Sequence, residues 1–315
     1  MKLSDPIFFE RRCDASGGIA ISADRWVGAN DEENILRLYC VDGGPPENDA
    51  LLDLDDFLEL TGEIGKREAD LESATALGEL IFWIGSHSQS RNGKDRPDRH
   101  RLIATKLTAA ADGSSVLETF GQPCKSLREK LVADPRLAKF NLATAATLPP
   151  KAPGGFNIES LCAERGGNRL WIGFRNPISP AGALLVPLEN PRLVVESGAA
   201  PVFGEAVVLD LGGLGVRDML IAGEGYLILA GDFPDRNDAG AKPSALFSWS
   251  GPGTKPRGLA VDFGDLNPEA LIVFPDQRVL IVSDDGAREN AAGKTCKELE
   301  NEDERTFRAA WLQPA

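Results

Sequence analysis

Histidine, paired cysteine and long apolar runs are what this chain has least of. Two histidines and five scattered cysteines (Cys13, Cys40, Cys124, Cys162, Cys296), with no CxxC spacing, exclude zinc-ribbon and thioredoxin-like sites. Free buried thiols in a reducing compartment are the default reading, with Cys13–Cys40 and Cys162–Cys296 as pairings the sequence leaves open. No apolar run approaches the ~18 residues of a membrane span. Met1-Lys2-Leu3-Ser4-Asp5-Pro6 offers no signal-like apolar core either. These absences predict a cytoplasmic protein, or a periplasmic one if a signal peptide has been trimmed away. Sequences of the GxSxG, P-loop, HExxH and EF-hand types are also missing, so no ready-made catalytic motif is present. Basic charge is short too. The formal net charge is −14, which repels a phosphate backbone and an anionic membrane and argues against both as partners.

What is present is ordinary globular composition, 42% hydrophobic and 26% charged, which excludes a disordered chain. Its 315 residues can bury a sizeable core. Along them an acidic residue is followed five times, thirteen or fourteen positions later, by a small residue that closes an apolar strand. The pairs are Asp14 and Gly28, Glu72 and Gly85, Glu159 and Gly173, Asp218 and Gly231, Glu269 and Ser283. A polar stretch follows each small residue. Repetition at this scale predicts a repeat architecture whose acids gather in space.

The fold class expected is all-β. Ile81-Phe82-Trp83-Ile84, Leu170-Trp171-Ile172, Tyr226-Leu227-Ile228-Leu229 and Val279-Leu280-Ile281-Val282 are short β-branched and aromatic runs, each preceded by a turn signal. Further strands follow most of them, and outer strands are expected at Arg192-Leu193-Val194-Val195 and Ala206-Val207-Val208-Leu209-Asp210. Intervals of 57, 88, 58 and 52 residues between the small residues, each enough for the ~40–50 residues of a four-stranded blade and the longest with about 30 to spare, predict one β-propeller over residues 1–315. Five blades are visible and six is the alternative. The N-terminal strand near residues 6–10 would close the ring. A helical insertion is expected near residues 124–139, where Ser126-Leu127-Arg128-Glu129-Lys130-Leu131 reads as an amphipathic turn.

In a propeller the first strand of each blade is innermost, so five acids would ring the channel mouth. Asp14, Glu72, Glu159, Asp218 and Glu269 are the candidate ligands of a divalent cation, Ca²⁺ or Mg²⁺, because hard cations take carboxylate oxygens. Neutralisation by Arg12, Arg175 and Arg217, or protonation of some acids, would relieve the same crowding. Glu159 is the candidate catalytic base, His87 a proton shuttle, and Arg175 and Arg217 binders of a substrate oxyanion. Structural use of the acids, bonding the backbone of neighbouring blades, is the competing reading. The basic stretch of residues 90–101 is either an anion clamp or a loop that pairs with the acidic face.

The chain resembles an uncharacterised bacterial β-propeller family, domain-of-unknown-function family 3616. The resemblance rests on Cys13-Asp14-Ala15-Ser16, Asp31-Glu32-Glu33-Asn34, Asp70-Leu71-Glu72, Gly85-Ser86-His87-Ser88, Gly173-Phe174-Arg175-Asn176-Pro177, Gly215-Val216-Arg217-Asp218, Pro268-Glu269-Ala270 and Ser283-Asp284-Asp285-Gly286. It implies a propeller and brings no established activity. The functional expectation is a metal-dependent hydrolase of a small ester, lactone or phosphoester. A non-catalytic scaffold that binds a protein partner or a small anionic molecule is the alternative.

Overall fold

The computed structural model describes the chain except residues 48, 49, 62–66, 110–114, 235, 237, 239 and 315. The apolar runs form strands that join, in chain order, into five antiparallel sheets. The first blade holds Gly17–Ala20, Arg25–Ala29, Ile35–Cys40 and Leu52–Asp53. The second holds Leu71–Leu77, Leu80–Gly85, Leu102–Ala109 and Ser115–Cys124. The third holds Asn157–Ala163, Leu170–Ser179, Gly182–Leu188 and Val207–Leu209. The fourth holds Gly215–Ala222, Gly225–Gly231, Ala245–Trp249 and Arg257–Leu259. The fifth is built from Pro268–Val273, Val279–Ser283 and Thr306–Gln313. The protein is therefore a five-bladed β-propeller.

The first strand of each blade touches those of its two neighbours around a closed ring, so these strands are innermost. Close approach demands small residues there: a Cβ on Gly17 would lie 2.8 Å from the Cα of Ser73 in the second blade. The N-terminal strand Ile7–Glu10 pairs antiparallel with Thr306–Gln313 and completes the fifth blade from the other end of the chain. Phe9 anchors it. Its ring stacks on Phe307 at 5.1 Å and meets Trp26 edge-on at 5.4 Å, in the layer between the fifth and first blades. Burying one such side chain stabilises by roughly 1.5–3 kcal/mol, so Phe9 is a principal fastener of the ring. A disulfide between Cys13 and Cys296 lies beside this seam and pairs neither of the two couples expected from the sequence.

Two expectations need correction. Residues 192–195 are not an outer strand; they lie in the helix Pro191–Ser197. Pro191 opens it, Gly198 ends it in a left-handed conformation, and Pro191, Val194 and Val195 share its buried face. Spacing of three and four residues outweighed β-branched propensity. The insertion is longer than expected and is no sixth blade. Helix Leu127–Ala133, the 3-10 segment Pro135–Phe140 and helix Leu142–Ala145 pack Leu127, Leu131, Leu137 and Leu142 against the second and third blades. The chain then runs through Pro149, Pro150 and Lys151, which overhang the channel mouth.

Candidate functional site

A β-bulge opens the inner strand of four blades. The register slips between Leu71 and Ser73, Ile158 and Ser160, Val216 and Asp218, and Pro268 and Ala270. A bulge re-aims the extra side chain, and here the extra residues are Glu72, Glu159, Arg217 and Glu269. All four line one cavity of about 240 Å³ at the channel mouth. Ser16 takes the matching position in the first blade. The shared unit is thus Asp70-Leu71-Glu72-Ser73, Asn157-Ile158-Glu159-Ser160 and Asn267-Pro268-Glu269-Ala270, with Asp14-Ala15-Ser16-Gly17 and Gly215-Val216-Arg217-Asp218 as its variants.

Three carboxyl groups converge in the cavity, with oxygens of Glu72, Glu159 and Glu269 mutually within 4.8 Å. Their surroundings differ sharply. Glu159 Oε1 accepts from Arg175 Nη1 and from Asn157 Nδ2, both at 2.7 Å, and Oε2 accepts from Arg217 Nε at 3.3 Å. Burial alone would raise this carboxyl, but the two guanidiniums outweigh it and hold Glu159 below its usual value. Glu269 shares Arg217, at 2.5 Å, yet burial wins there and pushes it up to about 8. Glu72 interacts with the Arg99 guanidinium, but too weakly to offset the groups that raise it. Burial, then the like charges of Asp70, Glu159, Glu269 and Asp31, push it well above the carboxylate range. Two carboxyls shifted in opposite directions thus face each other across the same small space.

A second group of acids lines the same cavity. Asp14 accepts from Asn30 and faces Lys297 Nζ at 3.3 Å; the same ammonium reaches Glu32 at 2.9 Å and Asp31 at 3.8 Å. Asp70 accepts from Ser86 and pairs with Arg99 at 3.0 Å, while Arg96 and Arg99 both reach Glu68. The basic stretch of residues 90–101 therefore pairs with acids of the mouth, and Arg91 and Arg99 form part of its wall.

Of the expected residues, Glu72, Glu159, Glu269, Arg175, Arg217 and Asp14 all line the cavity. Asp218 does not join them. It lies one residue past the bulge and turns away, accepting from Leu271 N at 2.7 Å, Met219 N at 2.8 Å and Ser73 Oγ at 3.0 Å. Ser73 in turn accepts from Leu161 N, so this carboxyl ties the inner strands of four blades together below the cavity. Burial raises Asp218 to about 7 against those hydrogen bonds. Its role is the structural one. His87 is also outside the cavity. It is fully buried, bonded through Nδ1 to Gly85 O at 2.8 Å and stacked on His100, and burial lowers it to about 3. A shuttle needs access to the reacting atoms, which this ring lacks.

Of the three arginines expected to neutralise the acids, Arg175 and Arg217 are paired with them. Arg175 spends its nitrogens on Glu159, Asp232 O and Pro234 O; Arg217 spends its own on Glu159, Glu269 and Pro268 O. Both guanidiniums also line the cavity. Arg12 pairs with Glu33 and Glu302. Asn157 was missed by the sequence reading, although its place two residues before Glu159 matches Asp70 before Glu72. For a cation, the fitting donors are Glu72, Glu159 and Glu269, with Asn157 Oδ1, buried and without a hydrogen-bond partner, as a fourth oxygen.

No curated protein matches the sequence. Among solved structures, the chain is similar to the arabinanase Arb43A of Bacillus subtilis, with TM-score 0.46 and 10% identity over 98% of this chain and 95% of that one. It is similar to a GH43 endo-arabinanase of Bacillus licheniformis, with TM-score 0.44 and 9% identity over 98% and 95% of the two chains. The virginiamycin B lyase of Staphylococcus aureus matches with TM-score 0.34 and 8% identity over 92% and 72%. Chemistry does not carry over at such identities. The sequence itself matches one described family, Protein of unknown function (DUF3616), over residues 14–116 and 106–251. With most of its length matched, the chain belongs to the DUF3616 family.

Proposed function

We propose that the channel mouth is the active site of a hydrolase acting on a small polar ester, lactone or phosphoester by paired carboxyl chemistry. In this reading Glu72 is the general acid and Glu159 the general base. Glu159 has three of its roughly four acceptor positions filled by Arg175, Arg217 and Asn157, which leaves room for one water. That water loses a proton to Glu159 as its oxygen attacks the acyl or phosphoryl centre. Glu72 gives its proton to the departing oxygen, and exchange with solvent restores both groups. A cavity of about 240 Å³ falls just below the ~300–1,000 Å³ typical of drug-sized ligands and suits a small substrate.

The observation that carries the reading is the unequal environment of two carboxyls in one cavity, the pattern by which enzymes assign acid and base. The test is a panel of chromogenic esters, lactones and phosphoesters with wild type, Glu72→Gln and Glu159→Gln. Each substitution should lower turnover by roughly 10²–10⁴-fold, and the wild-type pH profile should be bell-shaped. Full activity in both variants, or no turnover of any panel member, would overturn it and leave a binding scaffold.

A divalent cation is the second reading, favoured by the three converging glutamates and the spare oxygen of Asn157. Ca²⁺ or Mg²⁺ would polarise the substrate oxygen and acidify a bound water. Binding at 100 times the dissociation constant would add about 2.7 kcal/mol, visible as a rise in Tm over chelator-treated protein. An unchanged Tm with every ion would dismiss it.

A further inference from the structure

The Cys13–Cys296 disulfide and the Lys297 ion pairs occupy one spot. Cys13 directly precedes Asp14, and Cys296 directly precedes Lys297, so the bond sets the two charged partners side by side. The rest of the turn is built to the same end. Thr295 and Glu298 cap the short 3-10 turn Cys296–Glu298 reciprocally. Asp285 N donates to Cys13 O at 3.0 Å, and Lys297 N donates to Gly286 O at 3.2 Å. Residue 286 is glycine where a Cβ would lie 2.3 Å from Lys297 Cε, so the lysine stem passes through space that only glycine leaves open. Neither half of this arrangement is explained by the blade sheets, which close without it.

We propose that the disulfide is an electrostatic latch that positions Lys297 as a built-in counter-cation for Asp14 and Asp31 on the first-blade side of the mouth. The proposal goes beyond the hydrolase reading and stands without it. The groups that face the pair come from three blades. Asp14, Asp31 and Glu32 belong to the first, Asp70 and Glu72 to the second and Asp284 to the fifth. Burial and these like charges raise Asp14 and Asp31, the latter to about 7, and Lys297 opposes the rise. Carboxyls raised on folding contribute stability that is present below their unfolded value of about 4 and lost as pH climbs through the folded one. Without Lys297 they rise further, so the loss between pH 5 and pH 8 becomes larger.

The experiment measures Tm at pH 5 and pH 8 for wild type, Lys297→Met, Lys297→Arg, the double variant Cys13→Ser/Cys296→Ser, and the triple variant with Lys297→Met. The drop on raising the pH should be larger than in wild type by roughly 2 °C in Lys297→Met, and Lys297→Arg should restore the wild-type drop. The double cysteine variant should show a drop as large as that of Lys297→Met, and the triple variant no further increase. A disulfide that acted through chain entropy alone would lower Tm equally at both pH values, and that result overturns the latch. Should the cysteine variants fail to fold, amide exchange of the wild type is followed with a dithiol. The dithiol passes two electrons and two protons to the disulfide and closes to its own cyclic disulfide. The latch expects faster exchange at Lys297 and Leu299 as the two thiols appear; unchanged exchange in the reduced protein refutes it.

Discussion

Replacing Glu72 by glutamine should make the protein more stable, although Glu72 is assigned to the chemistry. Glutamine keeps the shape and hydrogen-bonding capacity of a protonated glutamate without its ability to ionise. In the folded protein Glu72 is held well above its usual range, by burial first and then by four neighbouring carboxyls. Its folded value exceeds its unfolded value of about 4.3, so the folded state binds the extra proton and loses stability as pH rises between the two. The slope for one such group is at most about 1.4 kcal/mol per pH unit. Between pH 5 and pH 7 the wild type therefore loses up to ~2.7 kcal/mol that Glu72→Gln retains. At about 1.5 °C per kcal/mol for a chain of this length, the variant should melt up to ~4 °C above wild type at pH 7 and close to it at pH 5. Differential scanning calorimetry at both pH values reads the effect. A variant less stable than wild type at pH 7, or a difference that does not change with pH, would refute the electrostatic argument.

The other predictions differ in sign or cause. Glu159→Gln removes the partner of two buried guanidiniums, Arg175 and Arg217, and should destabilise by about 3–5 kcal/mol in chemical denaturation. Asp218→Ala strands the buried N–H groups of Leu271 and Met219 and should cost about 2–5 kcal/mol, with the loss largest in hydrogen exchange of the inner strands. Cys13→Ser opens a link spanning 283 residues, for which the chain-entropy limit is about 5–6 kcal/mol; a midpoint unchanged in urea would count against a formed disulfide.

Much of the fold was legible because strands carry their own punctuation. Ile81-Phe82-Trp83-Ile84, between a turn and a closing glycine, states both its element and its neighbours. The helix Pro191–Ser197 was not, because Val194 and Val195 favour strands in isolation and only Pro191 and Gly198 mark the ends of a helix. The site was half legible. Spacing between acid and small residue brought out the five inner strands, but a bulge shifts the strand by one residue and that shift was invisible to counting. Asp218 was therefore placed where Arg217 stands, and Asp14 was aligned with Glu72 although it matches Asp70. The four-residue unit of Asp or Asn, an apolar residue, Glu and a small residue could have corrected both. No sequence pattern told that His87 points into the core, since its left-handed backbone (φ 55°) depends on how the chain leaves the blade. The Cys13–Cys296 pairing spans almost the whole chain and follows from ring closure, a property of the assembled blades rather than of local sequence.

The claim at the centre of this account is that two carboxyls in one cavity carry opposite protonation at neutral pH. Carbon-13 NMR titration of glutamate side chains, assigned with Glu72→Gln and Glu159→Gln, measures it directly. The Glu72 carboxyl should remain protonated at pH 7, while Glu159 should stay ionised to below the usual glutamate range. Finding both groups titrating together near the ordinary value of about 4.3 would contradict it.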